Sequence, residues 1–244
     1  MNTIYDTIGH GYSSLRCPDE RIAKRIREAI GDARSVVNIG AGSGSYEPAD
    51  CQVTAVEPSE IMIRQRPQSN CLVVQCSAED LPFDDRSFDA SMAVLTVHHW
   101  TDKAKGLAEM RRVTRNRMVI VTYDPDFSGF WLLDYFPELK AADKGKMPSI
   151  AELKSWLGPV SVSTLPVPFD CTDGFVAAYW KRPDAYLEES IRAAMSPFRA
   201  LGDVSDGLHR LADDIKSGAW HERYKELTGL SELDCGYRLI EIEA

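Results

Sequence analysis

Three glycines at alternate positions, with an acidic residue downstream, are the part of this sequence best suited to chemistry. Gly40, Gly42 and Gly44 follow one short apolar run, and Glu57 ends a second apolar run at residues 53–56. A glycine loop lets a ligand approach the backbone closely, because no Cβ stands in the way. A carboxylate at the end of the second strand can accept hydrogen bonds from both hydroxyls of a ribose. The pattern predicts a site for a nucleoside-containing cofactor.

The spacing of the glycines bears on the type of cofactor. The dinucleotide fingerprint G-x-G-x-x-G would place a glycine at position 45, where this chain has Ser45. Ser45 therefore argues against an NAD-dependent oxidoreductase, which stays open as an alternative enzyme class. A glycine loop that forms only a tight turn is a further alternative, which the flanking strands and Glu57 disfavour.

A pair of histidines, His98 and His99, ends the apolar run at residues 88–97. An imidazole titrates near neutrality, so His99 is a candidate general base if the substrate must lose a proton. The pair can equally shape a pocket, with one ring buried and hydrogen-bonded. Adjacent histidines at a strand end do not converge on one ion, and no third ligand is evident, so we expect no metal site.

These residues need a framework that brings them to one edge of a sheet. Apolar runs separated mostly by helical patterns predict a parallel α/β sheet with right-handed crossovers. Ligands bind at the carboxyl edge of such a sheet. The predicted strands, the last of them antiparallel, cover residues 35–39, 53–56, 71–76, 88–97, 118–123, 160–169 and 234–242.

The chain becomes rich in aromatic side chains after residue 123. Residues 124–147 form a segment too long for a plain connection, and long irregular segments inside a domain are usually functional. We predict that residues 124–157 and 171–217 form a helical cap over the strand tips. An aromatic cap suits an apolar or planar small molecule, or a cation. The predicted lining residues, each of which can alternatively pack the cap onto the core, are Tyr123, Asp124, Phe130, Trp131, Tyr135, Phe136 and Trp180.

Composition narrows the remaining possibilities. The chain has 244 residues, enough for one domain with a small insertion, so we expect a single domain over 1–244. Its formal net charge of −9 argues against a nucleic-acid partner. No apolar run is long enough to span a membrane, so we expect a cytoplasmic protein. The six cysteines form no C-x-x-C pair, which disfavours a zinc site or a disulfide framework.

Together these motifs resemble class I S-adenosylmethionine (SAM)-dependent methyltransferases, in the small-molecule branch that includes ubiquinone/menaquinone-biosynthesis-type enzymes. The glycine motif of that family resembles VVNIGAGSG, and its acidic motif after strand two resembles AVEPS. Its adenine loop, with an LPF signature, resembles SAEDLPFDDRSFD. Its motif IV resembles AVLTVHHWTD, and its N-terminal lid resembles YDTIGHGYSSLR. The motifs span about residues 5–124.

The resemblance implies a fold and a reaction. The fold would be a Rossmann-like seven-stranded sheet of order 3-2-1-4-5-7-6, with strand seven antiparallel, flanked by helices. The reaction would transfer the methyl group of SAM to a small-molecule acceptor by in-line displacement, giving S-adenosylhomocysteine. The protein would be a monomer or a homodimer. A non-catalytic SAM-binding accessory subunit is the non-enzymatic alternative.

The resemblance also implies roles for individual residues. The glycine loop would hold the methionine part of SAM, Glu57 the ribose hydroxyls, and the loop at residues 77–79 the adenine. Residues 1–17 would form a lid that brings Tyr12 to the methyl group and Arg16 to the carboxylate; a solvated arm is the simpler alternative. The cofactor-binding residues are then Tyr12, Arg16, Asn38, Gly40, Ala41, Gly42, Gly44, Glu57, Pro58, Ser77, Ala78, Glu79 and Leu95. On the acceptor side we add Tyr5, His98 and His99, with His99 and Tyr12 as the catalytic candidates.

Two positions depart from the family pattern. Asn38 replaces the acidic residue that is usual at the end of strand one, so it adds no charge to hold the SAM ammonium. Ser77 replaces a common Asp or Asn, which predicts weaker adenine contacts.

Overall fold

The computed structural model describes residues 17–68 and 70–244. Tyr5, Tyr12 and Arg16 of the predicted lid lie outside the described residues. The strands are β1 (Ser35–Ile39), β2 (Gln52–Val56), β3 (Leu72–Val74), β4 (Phe88–Val94), β5 (Thr114–Tyr123), β6 (Ser161–Thr164), β7 (Val167–Pro168), β8 (Glu232–Leu233) and β9 (Tyr237–Glu243). The α-helices are α1 (Glu20–Ile30), α2 (Glu60–Arg64), α3 (Lys103–Val113), α4 (Leu132–Tyr135), α5 (Glu138–Asp143), α6 (Ile150–Leu157), α7 (Glu189–Ala193), α8 (Ser196–Ala200), α9 (Ser205–Ser217) and α10 (Ala219–Arg223).

Seven of these strands form one sheet of order β3-β2-β1-β4-β5-β9-β6. Strands β1 to β5 pair in parallel, and β9 runs antiparallel to both β5 and β6. The predicted sheet order, with an antiparallel seventh strand, is confirmed. β7 and β8 pair separately as a small antiparallel ribbon. The carboxyl ends of β1, β2 and β4 therefore lie side by side at one edge, which carries the predicted site residues.

Helices on both faces of the sheet bury its apolar side chains. Asp19 caps the N-terminus of α1, because its carboxylate accepts a hydrogen bond from the Arg21 N–H. The buried stripe of α1 includes Ile22 and Ile26. Asp102 caps α3 in the same way, and α3 buries residues such as Leu107. The α1 face joins the aromatic cap in one core cluster, and the α3 and α6 face forms a second. Both faces of the sheet are therefore covered, and its carboxyl edge carries the loops.

The strand at residues 88–97 is shorter than predicted. β4 ends at Val94, because Leu95 adopts a left-handed backbone conformation with φ of 50°. A short 3-10 helix, Val97–His99, follows. The two histidines therefore lie on a helical turn rather than at the strand end.

The prediction of one strand over residues 160–169 is wrong. The segment after it, at the start of the predicted helical cap, is helical in short pieces. The strand divides into β6 and β7 around Pro166, which has no N–H to continue the ladder. The second segment consists of 3-10 turns, Val176–Tyr179 and Pro183–Leu187, and two five-residue helices. Pro183 and Pro197 begin or interrupt these pieces, since proline cannot continue a helix through its N–H.

The segment between β1 and β2 contains only turns over residues 40–51. The sequence allowed either a short helix or a turn here. Among the described residues, no helix combines the length and apolar character needed to cross a membrane.

Candidate cofactor and acceptor site

The glycine loop has a backbone that requires glycine. Gly40 has φ of 70° and Gly42 has φ of 53°, values that L-residues with a side chain rarely adopt. A Cβ on Gly40 would also lie 2.9 Å from the Thr96 Cβ, which no small shift relieves. At Gly42 the nearest atom to such a Cβ would be the Met62 methyl carbon at 3.4 Å. Position 40 therefore requires glycine because Thr96 occupies the space of a side chain. Next to Gly42 that space is open, and a ligand can approach the backbone there.

Glu57 follows β2 and is buried beside this loop. Its Oε2 accepts a hydrogen bond from the Gly42 N–H at 2.8 Å, and its Oε1 accepts one from the Ser59 N–H at 2.9 Å. Each carboxylate oxygen carries two lone pairs, so these bonds orient the group without exhausting it as an acceptor. The carboxylate is therefore held next to the glycine loop, as a ribose site requires.

Four backbone donors of the loop are already engaged within the protein. The N–H groups of Gly40 and Ala41 both donate to the Val56 carbonyl, and the Gly44 N–H donates to the Ala41 carbonyl. The Gly42 N–H donates to Glu57. A pyrophosphate needs free N–H groups and a helix N-terminus, and here turns follow the loop instead. The loop therefore suits a nucleoside cofactor without phosphate, such as SAM, better than it suits NAD.

The predicted adenine loop, residues 77–79, lies at the end of β3 and packs against α3. Ala78 is buried, and a Cβ on Gly106 of α3 would lie 3.3 Å from the Ala78 Cβ. Glu79 Oε1 accepts a hydrogen bond from the Asp102 N–H at 3.1 Å. Pro58 and Ser77 are half-buried, on the loops that follow β2 and β3.

Two charged residues of α3 hold the LPF segment, and the sequence reasoning missed them. Arg112 donates to the Leu81 carbonyl at 2.9 Å and to the Phe83 carbonyl at 2.7 Å. Glu109 accepts from the Leu81 N–H at 3.1 Å and pairs with Arg112 at 2.7 Å. An acidic and a basic residue three positions apart on a helix usually form a solvated pair, so the sequence carried no signal of this role.

A small apolar cavity of about 10 Å³, room for roughly one water molecule, lies at the tips of β4 and β5. Leu95 stands at this point in its left-handed conformation, and its N–H donates to the Val121 carbonyl at 2.9 Å. Backbone strain of this kind concentrates at functional sites. The described lining includes Tyr46, Val94, Leu95, Val121, Phe175 and Tyr237. Tyr46, Phe175 and Tyr237 were not among the predicted lining residues, because they come from three distant parts of the chain.

The cap aromatics predicted to line this site lie in the core instead. Trp131, Tyr135, Phe136 and Trp180 are all buried, and the described cavity lining includes none of them. The Trp131 indole N–H donates to the Trp180 carbonyl at 2.8 Å, and the Trp180 indole N–H donates to the Val167 carbonyl at 2.9 Å. Phe130 is buried in the same cluster. These side chains therefore pack the cap onto the core, which was the alternative to lining the acceptor site.

Tyr123 and Asp124 lie closer to the cavity, at the end of β5. The Tyr123 ring meets that of Tyr237 edge to face, with centroids 5.6 Å apart. Burial, with nearby carboxylates, raises the pKa of Tyr123 to about 12, so its hydroxyl stays protonated at neutral pH. Asp124 Oδ2 lies 3.9 Å from the Arg238 guanidinium.

The rings of the two histidines contact each other on the turn after β4, with centroids 3.8 Å apart and planes tilted by 45°. His98 is half-buried and His99 is exposed. Desolvation by surrounding groups, together with the Lys103 and Lys146 ammonium groups, lowers the pKa of both imidazoles, and His99 adds to the effect on His98. Both rings are therefore neutral at pH 7. Within the described ranges, no cluster of three His, Cys, Asp or Glu side chains could hold a metal ion.

Comparison with known proteins agrees with this geometry. A family model described as a methyltransferase domain matches residues 37–122. The chain is 33% identical to a crystal structure from Anabaena variabilis, named as a methyltransferase from an antibiotic biosynthesis pathway. The two superpose with a TM-score of 0.85, over 93% of this chain and 98% of that one. This chain belongs to the class I SAM-dependent methyltransferases. The cofactor of this family is SAM.

Two curated relatives of this methyltransferase are more distant. The chain is 28% identical to the ubiquinone/menaquinone biosynthesis C-methyltransferase UbiE of Citrifermentans bemidjiense, over 44% of this chain and 56% of that protein. It is 24% identical to the chloroplastic 2-methyl-6-phytyl-1,4-hydroquinone methyltransferase 2 of Oryza sativa, over 57% of this chain and 42% of that protein. The chain thus spans about half the length of the curated relatives it matches.

Proposed function

We propose that this methyltransferase methylates a small acceptor with an apolar, planar group, bound against the apolar residues at the tips of β4 and β5, where the small cavity must widen to admit it. The observation that carries the proposal is the wholly apolar described lining of that cavity, next to the glycine loop. A planar ring packs well against aromatic edges such as those of Phe175 and Tyr237, whose centroids lie 4.8 Å apart. The hydroquinone and quinone named for the two curated relatives support an acceptor of this chemistry.

The proposed cofactor site keeps all the residues that the resemblance implied. When bound, SAM supplies a methyl group on a sulfonium, which is already activated for displacement. The chain's own residues then have to orient the two reactants and exclude water. Asn38, Gly40, Ala41, Gly42 and Gly44 form the surface for the methionine part. Glu57 accepts the ribose hydroxyls, and Pro58, Ser77, Ala78 and Glu79 surround the adenine. Tyr12 and Arg16 remain proposed as lid contacts, and Tyr5 as an acceptor contact.

The acceptor site is proposed to differ from the one expected from sequence. Tyr46, Leu95, Phe175 and Tyr237 contact the acceptor, and Tyr123 with Asp124 lies at the rim. Trp131, Tyr135, Phe136 and Trp180 act by packing, since they hold the cap that carries Phe175. Leu95 places its backbone between the cavity and the glycine loop, where the two reactants meet.

His99 is proposed as the group that accepts a proton if the acceptor carries one, with His98 beside it. A neutral imidazole is in the correct protonation state for this at pH 7, although a lowered pKa makes it a weak base. We expect His99→Ala to lower kcat with the KM for SAM unchanged. His98→Ala is the matched control, and an equal loss of kcat in both variants would contradict a specific role for His99.

The cofactor site is tested by calorimetric titration of the purified protein with SAM, S-adenosylhomocysteine and NAD. We expect binding of the first two ligands, with Kd values raised on the order of 10- to 100-fold by Glu57→Ala. Glu60→Ala is the matched control, because Glu60 is exposed and pairs only with Arg64 in the described residues. Binding of NAD alone would overturn the proposal.

The acceptor is tested by transfer of labelled methyl from SAM to a panel of small hydroquinones, phenols and aromatic amines, with a tRNA transcript in the same panel. We expect labelling of a planar small molecule, and a rise in its KM in the Phe175→Ala variant with the Kd for SAM unchanged. Labelling of the tRNA alone would contradict an acceptor held in the apolar cavity.

A further inference from the structure

The glycine loop is held by side chains in the absence of a helix after it. Glu47, at the far side of the loop, is the centre of this arrangement. Its Oε1 accepts a hydrogen bond from Asn38 Nδ2 at 2.9 Å, and its Oε2 accepts one from Arg66 Nη2 at 2.6 Å. Asn38 is the residue before the last in β1 and is buried, while Arg66 follows α2. Three separate segments therefore meet behind the loop.

Arg66 reaches from this pair into the loop itself. Its Nη1 donates to the Gly42 carbonyl at 3.3 Å, and a Cβ on Gly44 would lie 3.2 Å from the same nitrogen. The Gly42 N–H donates to Glu57 on the other side. The peptide groups around Gly42 are therefore held between a cation and a carboxylate. Gly42 also leaves space for a ligand where a side chain would otherwise stand.

The pair of Glu47 and Arg66 is largely removed from water, with side-chain exposures of 15% and 6%. Burying two charges costs free energy that their attraction only partly recovers, and apolar replacement of such pairs is often neutral for stability. The buried pair of Glu47 and Arg66 is therefore not explained by a contribution to the free energy of unfolding. Its position also puts a carboxylate within hydrogen-bond distance of Asn38, where β1 itself ends without a charge.

We infer that the Asn38–Glu47–Arg66 network positions the glycine loop for the methionine part of SAM, in place of the helix that is missing between β1 and β2. Glu47 and Arg66 are positioning residues, because they act through the backbone of Gly42 and Gly44. This inference rests on the proposed placement of SAM on that loop.

The network is tested with Arg66→Lys and with the apolar double replacement Glu47→Leu with Arg66→Met. Calorimetry is carried out with SAM and with 5′-methylthioadenosine, which has the nucleoside but lacks the amino-acid part. We expect each variant to raise the Kd for SAM about tenfold and to change that for methylthioadenosine less than about twofold. The urea midpoint of the double replacement should fall only modestly, since the buried Asn38 amide loses its acceptor while both buried charges are removed together. Asp50→Asn, an exposed carboxylate in the same segment, is the control and should bind SAM normally.

The outcomes separate the two proposals. A wild-type protein that binds no SAM, or one that binds it unaffected by Glu57→Ala, would overturn the proposed site and this inference with it. A wild type that responds to Glu57→Ala, together with a stable double replacement of unchanged SAM affinity, would overturn the inference alone. An equal loss for both ligands would show a merely structural role and also overturn it. If the double replacement does not fold, the Kd values of Arg66→Lys for SAM and methylthioadenosine decide: unchanged SAM affinity, or an equal loss for both ligands, overturns the inference.

Discussion

The half of the molecule that holds the cofactor site and the half that forms the cap are built in opposite ways. Residues 35–123 hold the site through backbone conformation and polar bonds, as in Gly40, Glu57 and Leu95. Residues 124–233 are held by buried aromatic rings, with Trp131 contacting Trp220 edge to face at a centroid distance of 5.1 Å. A change in the first half should therefore alter ligand binding more than stability. A change in the second should do the reverse.

The strongest test of this contrast is Trp180→Ala in the cap. Trp180 is fully buried and its indole N–H is hydrogen-bonded to Val167. We expect the free energy of unfolding to fall by about 3–5 kcal/mol, because a large cavity and an unpaired carbonyl remain. Urea unfolding measures this, with Trp156→Ala as the exposed control, which should stay within about 0.5 kcal/mol. A rise in the acceptor KM without loss of stability would instead return Trp180 to the acceptor site.

The corresponding change in the cofactor half is Gly40→Ala. Its Cβ would collide with Thr96 at a positive φ, so the loop must move. We expect the Kd for SAM to rise on the order of 100-fold, as measured by calorimetry. Gly218→Ala has a similar φ of 82° but open space around the Cβ. That control should lose about 1 kcal/mol of stability and keep its SAM affinity. Equal effects of both variants on SAM binding would refute the contact with Thr96 as the cause.

Tyr46→Phe tests the bond that joins the two halves. The Tyr46 hydroxyl donates to the buried Asp173 carboxylate at 2.7 Å, which links the glycine loop segment to the cap. Desolvation and this carboxylate raise the pKa of Tyr46, so the hydroxyl remains a donor at every pH of interest. We expect a loss of about 1–3 kcal/mol in unfolding free energy, together with a weaker affinity for SAM.

The control for this bond is Tyr179→Phe, because the Tyr179 hydroxyl makes no hydrogen bond within the described part of the chain. Asp173→Asn keeps an acceptor for Tyr46 and should lose less stability than Tyr46→Phe. If both tyrosine variants unfold at the same urea concentration as the wild type, the link between the halves lies elsewhere.

The smallest expected effect concerns Asp143, at the end of α5 in the cap. Desolvation raises the pKa of Asp143 to about 6, partly offset by Lys146. The unfolded carboxyl loses its proton near pH 4, whereas the folded one keeps it until about pH 6, so stability falls across this interval. Because the group is only half-buried, we expect a loss of roughly 1 kcal/mol.

Asp143→Asn should remove this pH dependence. Urea unfolding at pH 4 and pH 7.5 should show the variant equal to the wild type at the lower pH and more stable at the higher one. Asp213→Asn, an exposed carboxylate on α9, is the control and should leave the pH dependence in place. A gain in stability at both pH values would point to a cause other than titration.

Local motifs account for what was predictable about the site. Glycine spacing and the position of Glu57 after a buried strand follow from short-range rules, since neighbouring parallel strands end at the same edge. Leu95 was predicted to lie within the fourth strand, but it follows that strand in a left-handed conformation, for which a leucine carries no sequence signal. Glu47 and Arg66 were missed because their pairing joins segments that sequence rules treat separately.

The sheet order followed from the family resemblance. The sequence alone determined the parallel α/β class, the cofactor class and the positions of the loops that carry Gly40, Glu57 and Ala78. These depend on periodicity and on motifs that lie within a few residues of one another. Tertiary structure alone decided that Trp131 and Trp180 pack the core while Tyr46, Phe175 and Tyr237 line the cavity. Aromatic side chains satisfy either role, and only the arrangement of distant segments selects which rings are buried together.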